Sequence, residues 1–268
     1  AFLLPTERAG LNLFFYELKT QQKNIEEYIK NRRSKNSKGI ETEDIEAYFE
    51  TTYYSLPIEE YINFISKAKI DYDNKSELID SLNENFSLMS SFKFKKDKGK
   101  VFFKTESGKE LSLHLASSAI KTNFALWVYL AQMNKKANLL MIDEPELNLH
   151  PDAQRLMARL IVYLVNNGIK VAVSTHSDYF IKEINSLIML KNSFEEKDDI
   201  LQRYGYKGFD SLDADKVIAY HFKNGTAEKM LIEQNSGIQA DTFDDVSNML
   251  NAAYNDIYWA INSESIIN

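Results

Sequence analysis

The stretch LLMIDEPE (139–146) decides how the rest of the chain is read. Leu139 to Ile142 are four consecutive apolar residues, as suits a strand buried in a parallel sheet, and Asp143 and Glu144 stand where that strand would end. In doubly wound sheets ligands collect beyond the carboxyl ends of the strands, so two adjacent acids there are placed where chemistry is done. An Asp at that point can hold Mg²⁺, which takes few carboxylates together with phosphate oxygens. Glu144, pointing to the opposite side, can address a water; near a bound nucleotide it could orient or deprotonate that water for attack on phosphorus. The competing reading is a solvated acidic turn opening the next helix, where carboxylates are favoured in any case.

The next segments extend the pattern. A helix from about Asp152 to Asn167 is expected to stop at Gly168, and IKVAVST (169–175) reads as a second apolar strand running into His176 and Ser177. If the two strands are neighbours, His176 lies beside the acids, where an imidazole can donate to a phosphate oxygen. A further helix through Ile181 and Ile184 leads to Leu187–Leu190, read as a third strand. Upstream, Ser117 or Ser118 can cap a helix with the apolar face Ile120, Phe124, Trp127, Val128 and Ala131. Apolar strands alternating with helices predict an α/β fold with a parallel sheet covered on both faces.

The flanks differ in texture. Residues 92–116 carry two Gly-bearing turns, DKGK and ESGK, between β-rich segments, which predicts a small antiparallel meander containing His114. The lysines clustered from Lys93 to Lys104 suit a solvated sheet edge or, alternatively, a basic patch for phosphate or an acidic partner. AFLL (1–4) predicts a short strand stopped at Pro5, and Leu11–Tyr16 with Leu18 starts a helix running to about Arg32. NRRSKNSKG (31–39) reads as a loop, and 41–86 as helical, from Ile45, Tyr48 and Phe49 and then Tyr61, Ile62 and Ile65. After a polar stretch (191–215), VIAYHF (217–222) reads as a strand and Asn224-Gly225 as a turn; His150 and His221 are expected in packing or loop positions. The divisions expected are a core start at 1–20, a helical insertion at 21–90, the meander at 91–116, the core at 117–222 and a helical tail at 223–268.

Composition narrows the class. Of 268 residues, 32 are Lys or Arg and 39 Asp or Glu, a net charge of −7 that argues against an extended basic nucleic-acid surface and leaves only a local lysine contact open. Apolar residues make up 44%, with 15 Tyr and 16 Phe, enough for a sizeable core. There are 9 Gly and 4 Pro, against roughly 12% in an average protein, so helices should be plentiful. No cysteine is present, which excludes disulfides, thiolate catalysis and Cys-ligated zinc and suits a cytoplasmic location. No apolar run reaches the roughly 18 residues of a membrane span.

Taken in order, these segments resemble the ABC-type ATPases of the bacterial overcoming-lysogenization and anti-phage defence kind. LLMIDEPE resembles their extended Walker B, ELNLHP (146–151) their D-loop, VSTHS (173–177) their switch histidine, and LASSAIKT (115–122) a variant of their signature loop, with LLPTERAGL (3–11) a weaker likeness. The resemblance is strong over about 110–190, and it implies a P-loop NTPase core carrying a helical insertion and a meander. It also implies ATP and Mg²⁺ as cofactors, with Asp143 for the metal, Glu144 for the attacking water and His176 for the γ-phosphate. Ser117 and Ser118, at the signature position, and Asn148, Leu149 and His150, in the D-loop, would meet nucleotide or communicate across a homodimer; for Ser117 an ordinary helix cap reads equally well. An effector nuclease or toxin is the implied partner, without a membrane. Ala119 stands where the family has glycine, which would keep phosphate farther from the backbone.

One element of that family is missing from the 268 residues: GxxxxGK[ST] does not occur, and Gly99-Lys100 and Gly108-Lys109 sit in turns without the rest of the motif. The expectation is a carboxy-terminal part of a longer ATPase, beginning mid-protein at Ala1, that does not hydrolyse ATP unaided. Two other readings are a catalytically silent ABC-like scaffold and a Mg²⁺-dependent nuclease built on Asp143, Glu144 and Glu146.

Overall fold

A computed structural model describes residues 2–14, 17–20, 23, 27, 54–72, 77–86, 93–105, 107–132, 139–239 and 241–262. The expected loop at 31–39 and the helical set Ile45, Tyr48 and Phe49 lie outside the described residues. The chain divides into two compact units, Ala1–His176 and Ser177–Asn268.

The first unit is built on a three-stranded parallel sheet. Strand β1 (Phe2–Leu4) pairs with β5 (Leu139–Asp143), Leu4 beside Ile142, and β5 pairs with β6 (Lys170–Ser174), Asp143 beside Ser174. Pro5, which lacks an N–H to continue a ladder, ends β1. Leu4, Leu140 and Ile142 are buried on one face. There Phe2 stacks on Tyr129 of α4 (Ser118–Gln132) at 5.0 Å between ring centroids and meets Phe64 of α2 (Leu56–Lys67) at 4.4 Å. The other face shows Leu139, Met141 and Ala172 to solvent. The expected covering of both faces is therefore not found: burial along β5 alternates residue by residue, the mark of a sheet packed on one side.

Helix α4 is buried from Thr122 to Leu130, nearly all round, and so forms the centre of this unit. The meander β2 (Lys93–Asp97), β3 (Lys100–Lys104) and β4 (Glu110–Ser112) is antiparallel in sequence order and docks through Phe94, whose ring meets Phe124 at 4.9 Å and Trp127 at 5.2 Å. His114, expected in a strand, lies in a 3₁₀ turn after β4 (Leu113–Leu115). Two of the clustered lysines have structural partners: Lys96 donates to the carbonyls of Ile65 (3.0 Å) and Ser66 (2.8 Å), and Lys104 lies over the ring of Tyr72. Buried Tyr61 of α2 donates to Asn12 Oδ1 (2.8 Å) of α1 (Arg8–Leu13), and Asn12 donates to the Lys121 carbonyl (2.6 Å), so one polar relay joins α1, α2 and α4. Helix α3 (Glu77–Asn85) meets α5 (Pro151–Asn166) through Ser81 and Tyr163.

In the second unit α6 (Asp178–Met189) takes in Leu187–Met189, with Leu190 as its C-cap, where a strand over Leu187–Leu190 was expected; Phe180, Ile184, Leu187 and Ile188 recur at helical spacing and the segment continues the face begun at Phe180. The polar stretch contains α7 (Lys197–Tyr204). Strands β7 (Tyr220–Lys223) and β8 (Thr226–Lys229) form a hairpin whose turn residues, Asn224 (φ 52°) and Gly225 (φ 77°), are both left-handed, as a two-residue turn requires. His221 is thus a strand residue. The closing segment, expected helical from 223, opens instead with β8, β9 (Ile232–Glu233) and β10 (Gly237–Ile238), and only then forms α8 (Asp241–Asn262). Turn chemistry at Asn224-Gly225 and Gly237 outweighs helix formation there. Asn185 of α6 holds β10 by both ends, donating to the Ile238 carbonyl (3.1 Å) and accepting its N–H (2.8 Å).

Candidate functional site

The parallel pairing of β5 and β6 brings their carboxyl ends together, and Asp143 is the centre of what gathers there. Its Oδ1 accepts the hydroxyl of Ser174 and its Oδ2 that of Thr6, just beyond β1. These two donors, assisted by the charges of Arg8 and His176, hold the carboxyl below the usual carboxylate range against the opposing effect of burial. Arg8 is 2% exposed and spends its guanidinium on carbonyls: Pro5 (3.0 Å), Asp143 (2.6 Å) and Glu144 (2.6 Å). Burial lowers its own pKa, and the nearby carboxylates oppose that shift.

Glu144 has φ 47°, a left-handed backbone that a non-glycine residue adopts only where its surroundings enforce it. Its N–H donates to the Ser174 carbonyl (3.1 Å) while its own carbonyl is held by Arg8. The side chain is thereby turned to within 3.9 Å of His176, Oε1 to Nε2, with the imidazole 85% exposed. Glu146 fixes the segment after β6: its Oε1 accepts the Thr175 hydroxyl (2.7 Å) and the His176 N–H (2.9 Å). Its other oxygen, Oε2, is buried with no hydrogen-bond partner.

The remaining sequence-derived candidates lie elsewhere on the first unit. Ser117 Oγ accepts the Ile120 N–H (3.3 Å), capping α4, and Ser118 begins that helix; both are exposed. Asn148, left-handed at φ 62°, donates to the Thr122 hydroxyl (3.4 Å). His150 caps α5 by accepting the Asp152 N–H on Nδ1 (3.3 Å), and Leu149 is buried. Among the described residues no hydrogen bond or ion pair joins Ser117, Ser118, Asn148 or His150 to Asp143, Glu144 or His176. Sequence reading passed over Thr6, Arg8, Ser174 and Thr175. For Ser174 and Thr175 the available signal was position, at the last residue of β6 and directly after it; Thr6 and Arg8, two and four residues beyond β1, carried none.

Asp143 is suited to a divalent cation, being an ionised carboxylate at a strand end with two hydroxyls beside it. Among the described residues no group of three His, Asp or Glu could hold a metal by itself, so phosphate oxygens and water would complete the shell.

These features define an α/β protein with an acid pair and an imidazole at the carboxyl ends of adjacent parallel strands. The family model described as AAA ATPase domain matches residues 11–181, and the chain belongs to that family. A P-loop NTPase core is therefore its fold class. Among curated proteins, the OLD nuclease of Thermus scotoductus is 31% identical over 96 residues, covering 35% of this chain and 17% of that protein. The chain thus matches only a minor part of that relative's length. A solved chain from work on ATP-driven dimerization and DNA-stimulated activation of SMC ATPases superposes with a TM-score of 0.36 at 11% identity, over 63% of this chain and 92% of that one, too loosely to carry an inference. Among the described residues no helix is long and apolar enough to cross a membrane.

Proposed function

We propose that this chain supplies the acid, base and histidine side of an ABC-type ATP-hydrolysing site, one that works at a homodimer interface and controls an effector, a nuclease or toxin, in bacterial defence. The observation that carries the reading is the convergence of Asp143, held ionised by Thr6 and Ser174, with Glu144 and His176 at 3.9 Å. Membership of the AAA ATPase domain family supports the chemistry.

In this reading Asp143, with the Thr6 and Ser174 hydroxyls around it, holds Mg²⁺. The ion, when bound, neutralises phosphate charge. Glu144 would orient and deprotonate the water that attacks the γ-phosphorus. His176, exposed beside it, donates to the γ-phosphate. Ser117 and Ser118 at the start of α4 would meet nucleotide held by the other subunit through the helix's free N–H groups. Asn148 and His150 would transmit its presence across the interface.

The test uses Glu144→Gln in a protein carrying this chain together with a phosphate-binding loop. Turnover should fall by roughly 10²–10⁴-fold, the usual worth of a general base, while ATP is still retained and the dimer stays closed. Turnover at the wild-type rate would remove Glu144 from the role. A second reading is a catalytically silent scaffold. Failure of the phosphate-loop-bearing protein to retain ATP would select it.

A further inference from the structure

We propose that Glu146 is a positioning residue: it sets where the His176 imidazole stands beside Glu144, and its use in turnover rests on the function proposed above. The pairing of β5 with β6 stops at Asp143 and Ser174, so it does not reach Thr175 and His176. The imidazole is 85% exposed, and its 3.9 Å from Glu144 is too long for a hydrogen bond to fix the ring. What places the ring is the backbone that carries it. That backbone is anchored where the ladder has ended: one oxygen of Glu146, Oε1, takes both the Thr175 hydroxyl (2.7 Å) and the His176 N–H (2.9 Å). Hydrogen bonds to a carboxylate are the stronger kind, which suits an anchor at a solvent-facing strand end.

Glu146 is itself fixed and turned inward. It is buried, and its carbonyl accepts the Leu149 N–H (3.0 Å), so the turn after Pro145 holds its main chain. One carboxylate oxygen serves two donors and the other, Oε2, is closed off from solvent, an arrangement unlike that of a metal ligand or a base. A buried acceptor with no donor costs free energy, so packing alone would favour an apolar side chain here; the acid is explained by what its other oxygen holds. Glu146 also opens ELNLHP, so the turn carrying Asn148 and His150 is joined to the His176 main chain through this one carboxylate.

The test needs no nucleotide. In the whole chain Glu144→Gln should shift the NMR resonances of the His176 ring nitrogens, and in a Glu146→Leu background the same substitution should leave them unmoved. Glu146→Leu should also speed amide exchange at His176 at least about tenfold, as fits the loss of a bond to a carboxylate, while the buried Leu140 and Leu160 keep their protection. Glu146→Gln keeps an acceptor in place and should preserve both the ring response and the protection. A ring response undiminished in Glu146→Leu overturns the proposal, as does protection lost equally at Leu140 and Leu160. If Glu146→Leu does not fold, the Gln variant decides, because loss of the ring response there overturns the proposal too. In a protein that also carries a phosphate-binding loop, Glu146→Leu should lower kcat roughly 10- to 100-fold with KM within about twofold, and Gln should restore most of it. Unchanged turnover after the ring response has gone would uphold the positioning and count against His176 as the phosphate donor.

Discussion

Asp143 accepts from two hydroxyls contributed by segments far apart in the chain, Thr6 and Ser174, and its acidity is a measure of that convergence. A carboxyl held below its unfolded value stabilises the fold above that unfolded value, and the contribution is lost as pH falls through the folded one. Ser174→Ala removes the largest of the lowering influences, so the Asp143 carboxyl should titrate higher by carbon-detected NMR. The penalty of that substitution should also shrink as pH falls through the carboxylate range. An equal penalty at neutral and acid pH would show that Ser174 acts by packing alone. Arg8 is the other residue on which the turn depends, because three carbonyls lose their donor together if it goes. Arg8→Met should cost roughly 2–4 kcal/mol in urea unfolding, the order expected for buried hydrogen bonds to a charged group. It should also release the backbone of Glu144, which proteolysis or exchange at 143–146 would detect.

Among the elements, β10 is held by side chain as much as by strand pairing, and Gly237 makes that possible. Its φ is 78°, and a Cβ there would lie 2.5 Å from the Asn185 side chain that grips Ile238. Gly237→Ala should therefore destabilise the second unit by about 1–3 kcal/mol and loosen the Asn185–Ile238 hydrogen bonds, read as faster amide exchange at Ile238. Unchanged protection there would mean that the helix can yield. None of this could be read in the sequence, whereas β5, β6, α4, α5 and the meander could. The legible elements have local signals: an unbroken apolar run at Leu139–Ile142, a cap at Ser117, alternation beside the glycine turns of the meander. Leu187–Leu190 misled because a short apolar run fits a strand or the last turn of a helix equally well, and only its packing with Phe180 and Ile184 distinguishes them. The acid pair and His176 were visible as strand-end residues. Arg8 and Thr6 were not, because the pairing of β1 with β5 joins residues more than a hundred positions apart and leaves no periodic trace.

At the scale of the whole molecule, what the chain has and lacks bears on nucleotide affinity. In the proposed function the acid pair and the histidine act on a phosphate already in place; they would contribute little to holding it, and repulsion between a triphosphate and a protein of net charge −7 works the other way. Affinity in this kind of site comes mainly from backbone N–H groups and a lysine around the phosphates, and the sequence holds no GxxxxGK[ST] to provide them. A ligand stabilises the fold only in proportion to RT ln(1 + [L]/Kd), so a dissociation constant well above the ligand concentration gives almost no shift in melting temperature. The chain alone, melted in millimolar ATP with Mg²⁺, should therefore unfold within about 1 °C of its ligand-free midpoint. Joined to a polypeptide bearing the phosphate loop it should gain several degrees, about 2.7 kcal/mol at a hundredfold excess over Kd. In that form Asp143→Asn should lose the part of the gain that depends on Mg²⁺ and Glu144→Gln should keep it, if, as proposed, the first side chain holds the cation and the second addresses only the water. A shift of several degrees in the unaided chain would mean that the first unit already contains a phosphate cradle, with the exposed N–H groups at the start of α4, beside Ser117, the first place to look.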